Sequence, residues 1–423
     1  MNIIDCLQER GLIEALTSQQ LKAITQKPIK IYIGFDPTAD SLHLGSLVGI
    51  VVLRWFQKFG HTPVVVLGGA TGRIGDPSGK SSERPLLDSP TIEANIKRIR
   101  THFEQVLDFH DPKTMPMIVN NDDWFAKYPF VDFLRDIGKH FRVNVMLTKD
   151  SVKARLESDE GISFTEFSYQ ILQAYDFYHL YKTHQVVLQA GGSDQWGNIT
   201  AGTDLVRKLL AESAYGLTFP LLTRSDGKKF GKTEGGAIWL AADRCSPYDF
   251  YQYLYRVADA DVIKLMRMLT FMEMDEIRHY EQAMKQSDYV QNSAQKRLAE
   301  EITRLIHNEE GLQSALRATG AAAPGHATEL NPEVFHQMMK DMPHIKLSKN
   351  DVIDRKFVEL AVQTGLATSK GEATRLVTGG GAYLNNERVE DPLLKLTQQH
   401  LIGGEFLLLA AGKKKKILIH ISV

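Results

Sequence analysis

Cysteine is nearly absent: Cys6 and Cys245 are the only two among 423 residues, and their spacing suits neither a disulfide framework nor a zinc-binding pair. A reducing compartment, the cytoplasm, is therefore expected. Nothing in the chain approaches the roughly 20 consecutive apolar residues needed to span a bilayer, so no membrane is expected among its partners. The first residues, MNIIDCLQERGLIEALT, mix Asp and Glu with apolar positions, unlike a signal peptide, and read as an amphipathic helix. A surplus of charge is missing too. With a net charge of −1 the whole molecule does not attract a polyanion, and any nucleic-acid contact must be regional. Two nucleotide fingerprints are absent. Gly69, Gly72 and Gly75 do not have the G-x-G-x-x-G spacing of a dinucleotide site, and Gly227 and Gly231 enclose three residues where a P-loop needs four.

What is present is an ordinary globular composition, 43% hydrophobic and 24% charged, in a chain too long for one simple core. Strand-like runs at 29–35, 63–68, 116–119 and 186–190 are separated by helix-length segments, which predicts a parallel α/β sheet. From 241 to 318 the apolar spacing turns to three and four residues, predicting an all-α domain. Residues 319–350 begin small, Gly/Pro-bearing and aperiodic, as a linker does. The segment 351–423 reads as helix, a second helix opened by Ser369, strand and turn, then two strands around a four-lysine turn. Between 355 and 423 there are ten Lys/Arg against six Asp/Glu, a surplus of four that leaves −5 for the rest. A charge run alone reads rather as a solvated turn; its concentration at one end points to RNA. The expected fold is α/β: a Rossmann-like parallel-sheet domain over 1–240, the all-α domain, the linker and a small α+β module.

Five segments carry chemistry. KIYIGFDPTADSLHLGSLVG, 30–49, is an apolar strand, a polar loop and the start of an apolar helix, the kind of junction where free N–H groups favour a phosphate. Thr38 and His43 can donate to a phosphoryl group gaining charge, and Gly45 lets a flat ring approach the helix start. An isolated His43 would read rather as a helix-opening residue; the residues around it favour the phosphoryl role. GGATGRIGDPSGKSSER, 68–84, follows a strand; Asp76 suits an ammonium, and Lys80 and Arg84 suit phosphates. SDGKKFGKTEGGA, 225–237, is a mobile Gly-rich loop whose lysines and Thr233 can close on a triphosphate. In ISFTEFSYQILQAYDFYHLY, 162–181, Tyr169, Gln173 and Asp176 fall on one helical face, facing either water or a ligand. GGSDQWGNIT, 191–200, adds Asp194 and Gln195 after a strand.

Together GFDPTADSLHLG, GGATGRIGDPSGK, ISFTEFSYQ, LQAGGSDQWGNIT and KFGKTEGG resemble the bacterial tyrosyl-tRNA synthetases, nearly end to end. The His-Leu-Gly-Ser step corresponds to the class I His-Ile-Gly-His signature, with Ser46 in place of its second histidine. Lys229-Phe-Gly-Lys232-Thr233 corresponds to the Lys-Met-Ser-Lys-Ser signature. The resemblance implies that Tyr32 and Asp176 bind the phenolic hydroxyl of L-tyrosine, that Asp76, Tyr169 and Gln173 hold its ammonium, and that Gln195 lies near its carboxylate. It implies ATP contacts from Gly34, Asp36, Gly45, Ser46, Gly191, Asp194 and Lys232, with Asp194 at the ribose. Thr38 and His43 would serve the α-phosphoryl group; Lys80, Arg84, Lys229, Lys232 and Thr233 would serve the leaving pyrophosphate. Mg2+ would travel with ATP, with no fixed metal ligands. The family further implies a homodimer through the insertion at about 115–185 and a C-terminal module binding tRNA(Tyr), in which Lys370, Arg375, Lys413 and Lys414 are the candidate contacts. Ser46 leaves open a second reading, an RNA-binding protein that kept the fold without aminoacylation. A tryptophan-specific relative is the other alternative.

Overall fold

The structure, a computed structural model, describes residues 2–79, 86–157, 161–233, 236–322, 330–342, 344–412 and 415–422. The chain divides into two compact units, residues 1–241 with 257–298 and residues 242–256 with 299–423. Among the described residues no helix is long and apolar enough to cross a membrane.

The first unit is built on strands β1 (Ala15–Leu16), β2 (Lys30–Phe35), β3 (Thr62–Leu67), β4 (Met117–Asn120), β5 (Val186–Gly192) and β6 (Tyr215–Phe219), side by side in the order β1-β6-β5-β2-β3-β4. All neighbours are parallel except β1, which pairs antiparallel to β6. β3 is buried at five consecutive positions, which requires cover on both faces and explains its unbroken PVVVL run. The β6 strand, YGLTF, went unmarked in the sequence because it is short and carries a glycine. From β2 the chain moves outward to β3 and β4, then returns to β5 on the other flank of β2. That reversal opens a crevice at the carboxyl ends of β2 and β5.

Three helices furnish the crevice. Leu44–Lys58 leaves the end of β2 and is buried over most of its length. Phe164–His184 is capped by Ser163, whose side chain accepts from the Glu166 N–H, and packs beside Trp196–Leu210. Two short antiparallel strands, β7 (Lys232–Thr233) and β8 (Gly236–Ala237), form the end of the Gly-rich segment. The buried Arg10 guanidinium donates to the carbonyls of Thr270 (3.1 Å), Arg267 (3.2 Å) and Met272, and lies 4.1 Å over the Trp55 ring. It thereby fastens the end of helix Asp259–Leu269 to Leu44–Lys58.

The expected helical stretch consists of Pro247–Tyr255, Asp259–Leu269, Met274–Ala283 and Ser293–Ala321, shared between the two units. The linker expectation needs correction. Helix Pro332–Asp341 and strand β9 (His344–Ser348) occupy much of 319–350, while 323–329 lie outside the described residues. The overlooked signal was Phe335, Met338 and Met342, an apolar face at helical spacing behind an Asn331 cap and a first-turn proline. With β10 (Ala382–Leu384), β11 (Glu387–Arg388), β12 (Phe406–Ala411) and β13 (Lys415–Ser422), β9 completes a sheet ordered β11-β10-β12-β13-β9. Leu407 and Leu409 of β12 pack in one core with Phe357 and Ala373, whereas Phe406 and Leu408 pack in another with Phe335 and Met338. Two covered faces account for the uniform FLLLAA run.

Candidate functional site

A cleft of about 290 Å³ lies at the crevice in the first unit, lined by β2, β5, the start of Leu44–Lys58 and the polar face of Phe164–His184. Tyr32, Gly34, Asp36, Thr38, His43, Gly45, Ser46, Asp76, Tyr169, Gln173, Asp176, Gly191, Asp194 and Gln195 all line it. The stripe Tyr169, Gln173, Asp176 therefore turns inward, not to water.

At the blind end Asp176 is 4% exposed, accepting from Trp124 Nε1 at 2.8 Å and Asn121 Nδ2 at 3.1 Å. Burial pushes its carboxyl up to about 8; the two hydrogen bonds oppose the shift without cancelling it, and Asp36 adds to it. Tyr32 is 1% exposed, and its hydroxyl has no hydrogen-bond partner among the described residues. Burial and the nearby Asp176 push that phenol well above its usual range. A buried hydroxyl without a partner is costly, so this end is shaped for a ligand carrying its own hydroxyl.

The middle of the cleft is a carboxylate-rich network. Asp36 accepts from the Tyr169 hydroxyl (2.8 Å) and from Thr71 Oγ1 (2.7 Å), and Thr71 Oγ1 accepts from Asn121 Nδ2 (2.9 Å). Asp76 accepts from Gln195 Nε2 (2.6 Å) and the Ser78 N–H (3.0 Å). Burial, then Asp36, Asp76 and Asp176, push the Tyr169 phenol well above its ordinary value. Such a field favours a cationic group on the ligand.

The mouth is open. His43 caps Leu44–Lys58, its Nδ1 accepting from the Ser46 N–H at 3.2 Å, with Ser46 Oγ at 3.3 Å from the same nitrogen. Acceptance at Nδ1 leaves the ring proton on Nε2 in the neutral imidazole. A Cβ on Gly45 would come within 3.0 Å of the imidazole Cε1, so the glycine is what lets the ring fold over the helix start. The Leu44 N–H donates to Ile238 O and the Leu240 N–H to Leu42 O, both at 2.8 Å, around a His43–Trp239 bridge. The two signature segments are thus joined by a backbone ladder. On its other flank the loop is tied to helix Asp259–Leu269: Ser225 N–H donates to Asp261 Oδ1 (2.8 Å), and Lys264 Nζ to Thr223 O (3.1 Å). Lys229 Nζ reaches Gly79 O at 3.5 Å, bringing the second and third motifs together.

Lys80, Arg84, Lys413, Lys414 and the side chains of Lys232 and Thr233 lie outside the described residues. In the second unit Lys370 is salt-bridged to Glu359 at 2.7 Å, whereas Arg375 is exposed. No cluster of three or more His, Cys, Asp or Glu disposed to hold a metal occurs among the described residues. Sequence reasoning missed Thr71, Asn121 and Trp124, which support the carboxylates. The dense polar string NNDDW directly after the β4 run was the available signal.

The chain matches a family model described as tRNA synthetases class I (W and Y) over residues 24–322 and a tyrosine–tRNA ligase SYY-like C-terminal domain over 334–419. It is 57% identical over 420 residues to a tyrosine–tRNA ligase of Protochlamydia amoebophila, covering 99% of each chain. It is 46% identical over 422 residues to that of Geobacillus stearothermophilus, again covering 99% of each. A C-terminally truncated Aspergillus nidulans mitochondrial tyrosyl-tRNA synthetase superposes with a TM-score of 0.67 at 31% identity, over 74% of this chain and 92% of that one.

Proposed function

The chain belongs to the tyrosine–tRNA ligases, class I tRNA synthetases, and on that premise we propose that its cleft binds L-tyrosine with the phenol at Asp176 and the carboxylate aimed at ATP. The observation that carries the orientation is the buried Tyr32 hydroxyl, without a partner among the described residues, beside Asp176. A phenolic O–H donates to Asp176 and accepts from Tyr32. An indole offers no such group at that depth. The ammonium is held in the field of Asp76, Tyr169 and Gln173, and Gln195 lies near the carboxylate.

The reaction needs no general base at its first step, because the tyrosine carboxylate is ionised at neutral pH. One of its oxygens bonds to the α-phosphorus of MgATP in line, the bond from that phosphorus to the bridging oxygen breaks, and pyrophosphate leaves. His43 Nε2–H and Thr38 stabilise the charge growing on the α-phosphoryl oxygens. Gly34, Asp36, Gly45, Ser46, Gly191 and Asp194 line the nucleotide, with Asp194 at the ribose. Lys80, Arg84, Lys229, Lys232 and Thr233 neutralise the departing pyrophosphate, and Mg2+ enters as part of the substrate. The terminal ribose hydroxyl of tRNA(Tyr) then takes the acyl group and AMP leaves. No observation favours a protein that retains RNA binding alone.

Partner surfaces follow the same reading. Phe130 (66% exposed), Val131 (72%) and Phe164 (71%) are apolar side chains facing outward on the insertion, and burying them against a second copy gives a homodimer. The basic C-terminal module, with Arg375 among its exposed cations, takes tRNA, and the cytoplasm is the expected compartment. The deciding experiment is ATP–pyrophosphate exchange with each standard amino acid. Exchange driven by tyrosine supports the assignment; exchange driven by tryptophan instead overturns the proposed orientation. Phe164→Asp is expected to shift the protein to monomer in sedimentation, and Arg375→Glu to lower tRNA charging while leaving exchange unchanged.

A further inference from the structure

Asn198 stands in the first turn of Trp196–Leu210, and no role follows for it from the chemistry above. It is 4% exposed. Its Nδ2 lies 3.1 Å from Gln173 Oε1 and 3.1 Å from Gln195 Oε1, with Asp76 Oδ1 and Ser78 Oγ farther off at 3.5 Å each. An amide nitrogen has two hydrogens, so the two glutamine carbonyls take both and the longer contacts are secondary.

That arrangement fixes the polarity of two glutamines. With its carbonyl held by Asn198, Gln195 turns its NH2 end onto Asp76 Oδ2 at 2.6 Å. Gln173, held the same way, keeps a second lone pair on Oε1 for a donor from the ligand. A glutamine amide rotated by half a turn would present N–H groups to an ammonium and repel it.

We propose that Asn198 is a positioning residue that locks Gln173 and Gln195 with their carbonyls correctly turned, and so sets the affinity of the cleft for the ammonium of its amino-acid substrate. The proposal rests on the tyrosine reading given above. Its effect reaches the ammonium through Gln173 and through the Gln195 hold on Asp76, and the carboxylate through Gln195 alone, which makes it separable from a general loss of packing.

The test compares two ligands on the full-length protein: L-tyrosine and 3-(4-hydroxyphenyl)propionate, which has the phenol and carboxylate but no amine. Asn198→Ala is expected to weaken tyrosine about ten-fold or more, the scale of hydrogen bonds to a charged group, and to weaken the desamino acid, which meets Gln195 but has no ammonium for Gln173, several-fold less. Asn198→Ser, which keeps one donor, is expected to fall between, and provides the measurement if the alanine variant does not fold. Equal weakening of both ligands, or weakening of neither, overturns the proposal. Failure of the wild-type protein to bind tyrosine would instead overturn the substrate assignment, leaving Asn198 outside the cause.

Discussion

The two ends of the cleft are built on opposite terms. At the blind end Asp176 and Tyr32 are closed off from water, and Asn121 and Trp124 hold the carboxylate in one orientation. At the mouth His43, Thr38 and Lys229 are exposed, and among the described residues the lysine ammonium makes one long contact, to Gly79 O at 3.5 Å. Discrimination profits from burial, because an unmet hydrogen bond is expensive only where water cannot replace it. Stabilising a departing pyrophosphate requires groups that admit a large charged substrate and release it. On the proposed reading, one cavity separates identity, settled in a preformed recess, from rate, settled at an open rim.

The largest test of that contrast is Asp176→Ala. It is expected to lower kcat/KM for tyrosine about a thousand-fold, roughly 4 kcal/mol, through the lost charged acceptor and the unmet phenol, and to leave phenylalanine far less affected. Pyrophosphate exchange with both amino acids measures this; equal losses would dissolve the distinction. His43→Ala should lower the single-turnover rate of adenylate formation about a hundred-fold, the scale of one oxyanion donor, with tyrosine affinity unchanged. Lys229→Ala should cost about ten-fold in the same rate, because its charge acts from a solvated position. A loss of tyrosine affinity in either rim variant would merge the two ends.

The smallest effect is a proton. Burial holds the Asp176 carboxyl at about 8 against the ordinary 3.8, so near neutral pH the ligand-free protein keeps a proton that the unfolded chain has lost. Its contribution to stability is complete below about pH 4 and is lost as pH rises through about 8. Asp176→Asn should flatten that part of the Tm profile. A phenol donating to the ionised carboxylate displaces the proton, so tyrosine binding near pH 7 should release a fraction of one proton. Calorimetry in buffers of different ionisation enthalpy reads this, and phenylalanine should release none.

How much of this was legible beforehand differed with depth. Strands β2 to β5 and the helix after β2 follow from apolar runs and their breaks, and the inward stripe Tyr169, Gln173, Asp176 from helical spacing. The direction of that stripe was not legible, since spacing reports a face and not what covers it. Asn121, Trp124 and Thr71 escaped because each acts through another side chain, and a pattern of residue types along the chain carries no sign of such support. The aperiodic beginning of 319–350 conceals the helix and strand at 332–348, although the later apolar residues have a helix period. Ser46 was identified by its departure from the family signature; the structure shows its backbone N–H bonding the His43 ring.

The ladder between 42–44 and 238–240 bears on how this protein tolerates changes in length. An added or deleted residue at Asp226 or Gly227 would fall in the exposed turn beyond the Arg224 N–H to Lys228 O pairing. The same change at Ile238 or Trp239 would slide the pairing by one position and swap inward for outward side chains. It would also withdraw the carbonyl that receives the Leu44 N–H, dislodging the first turn on which the His43 ring is mounted. Insertions in natural or engineered variants are therefore to be sought in that turn, and one found in the ladder would have to be matched by a compensating change opposite it.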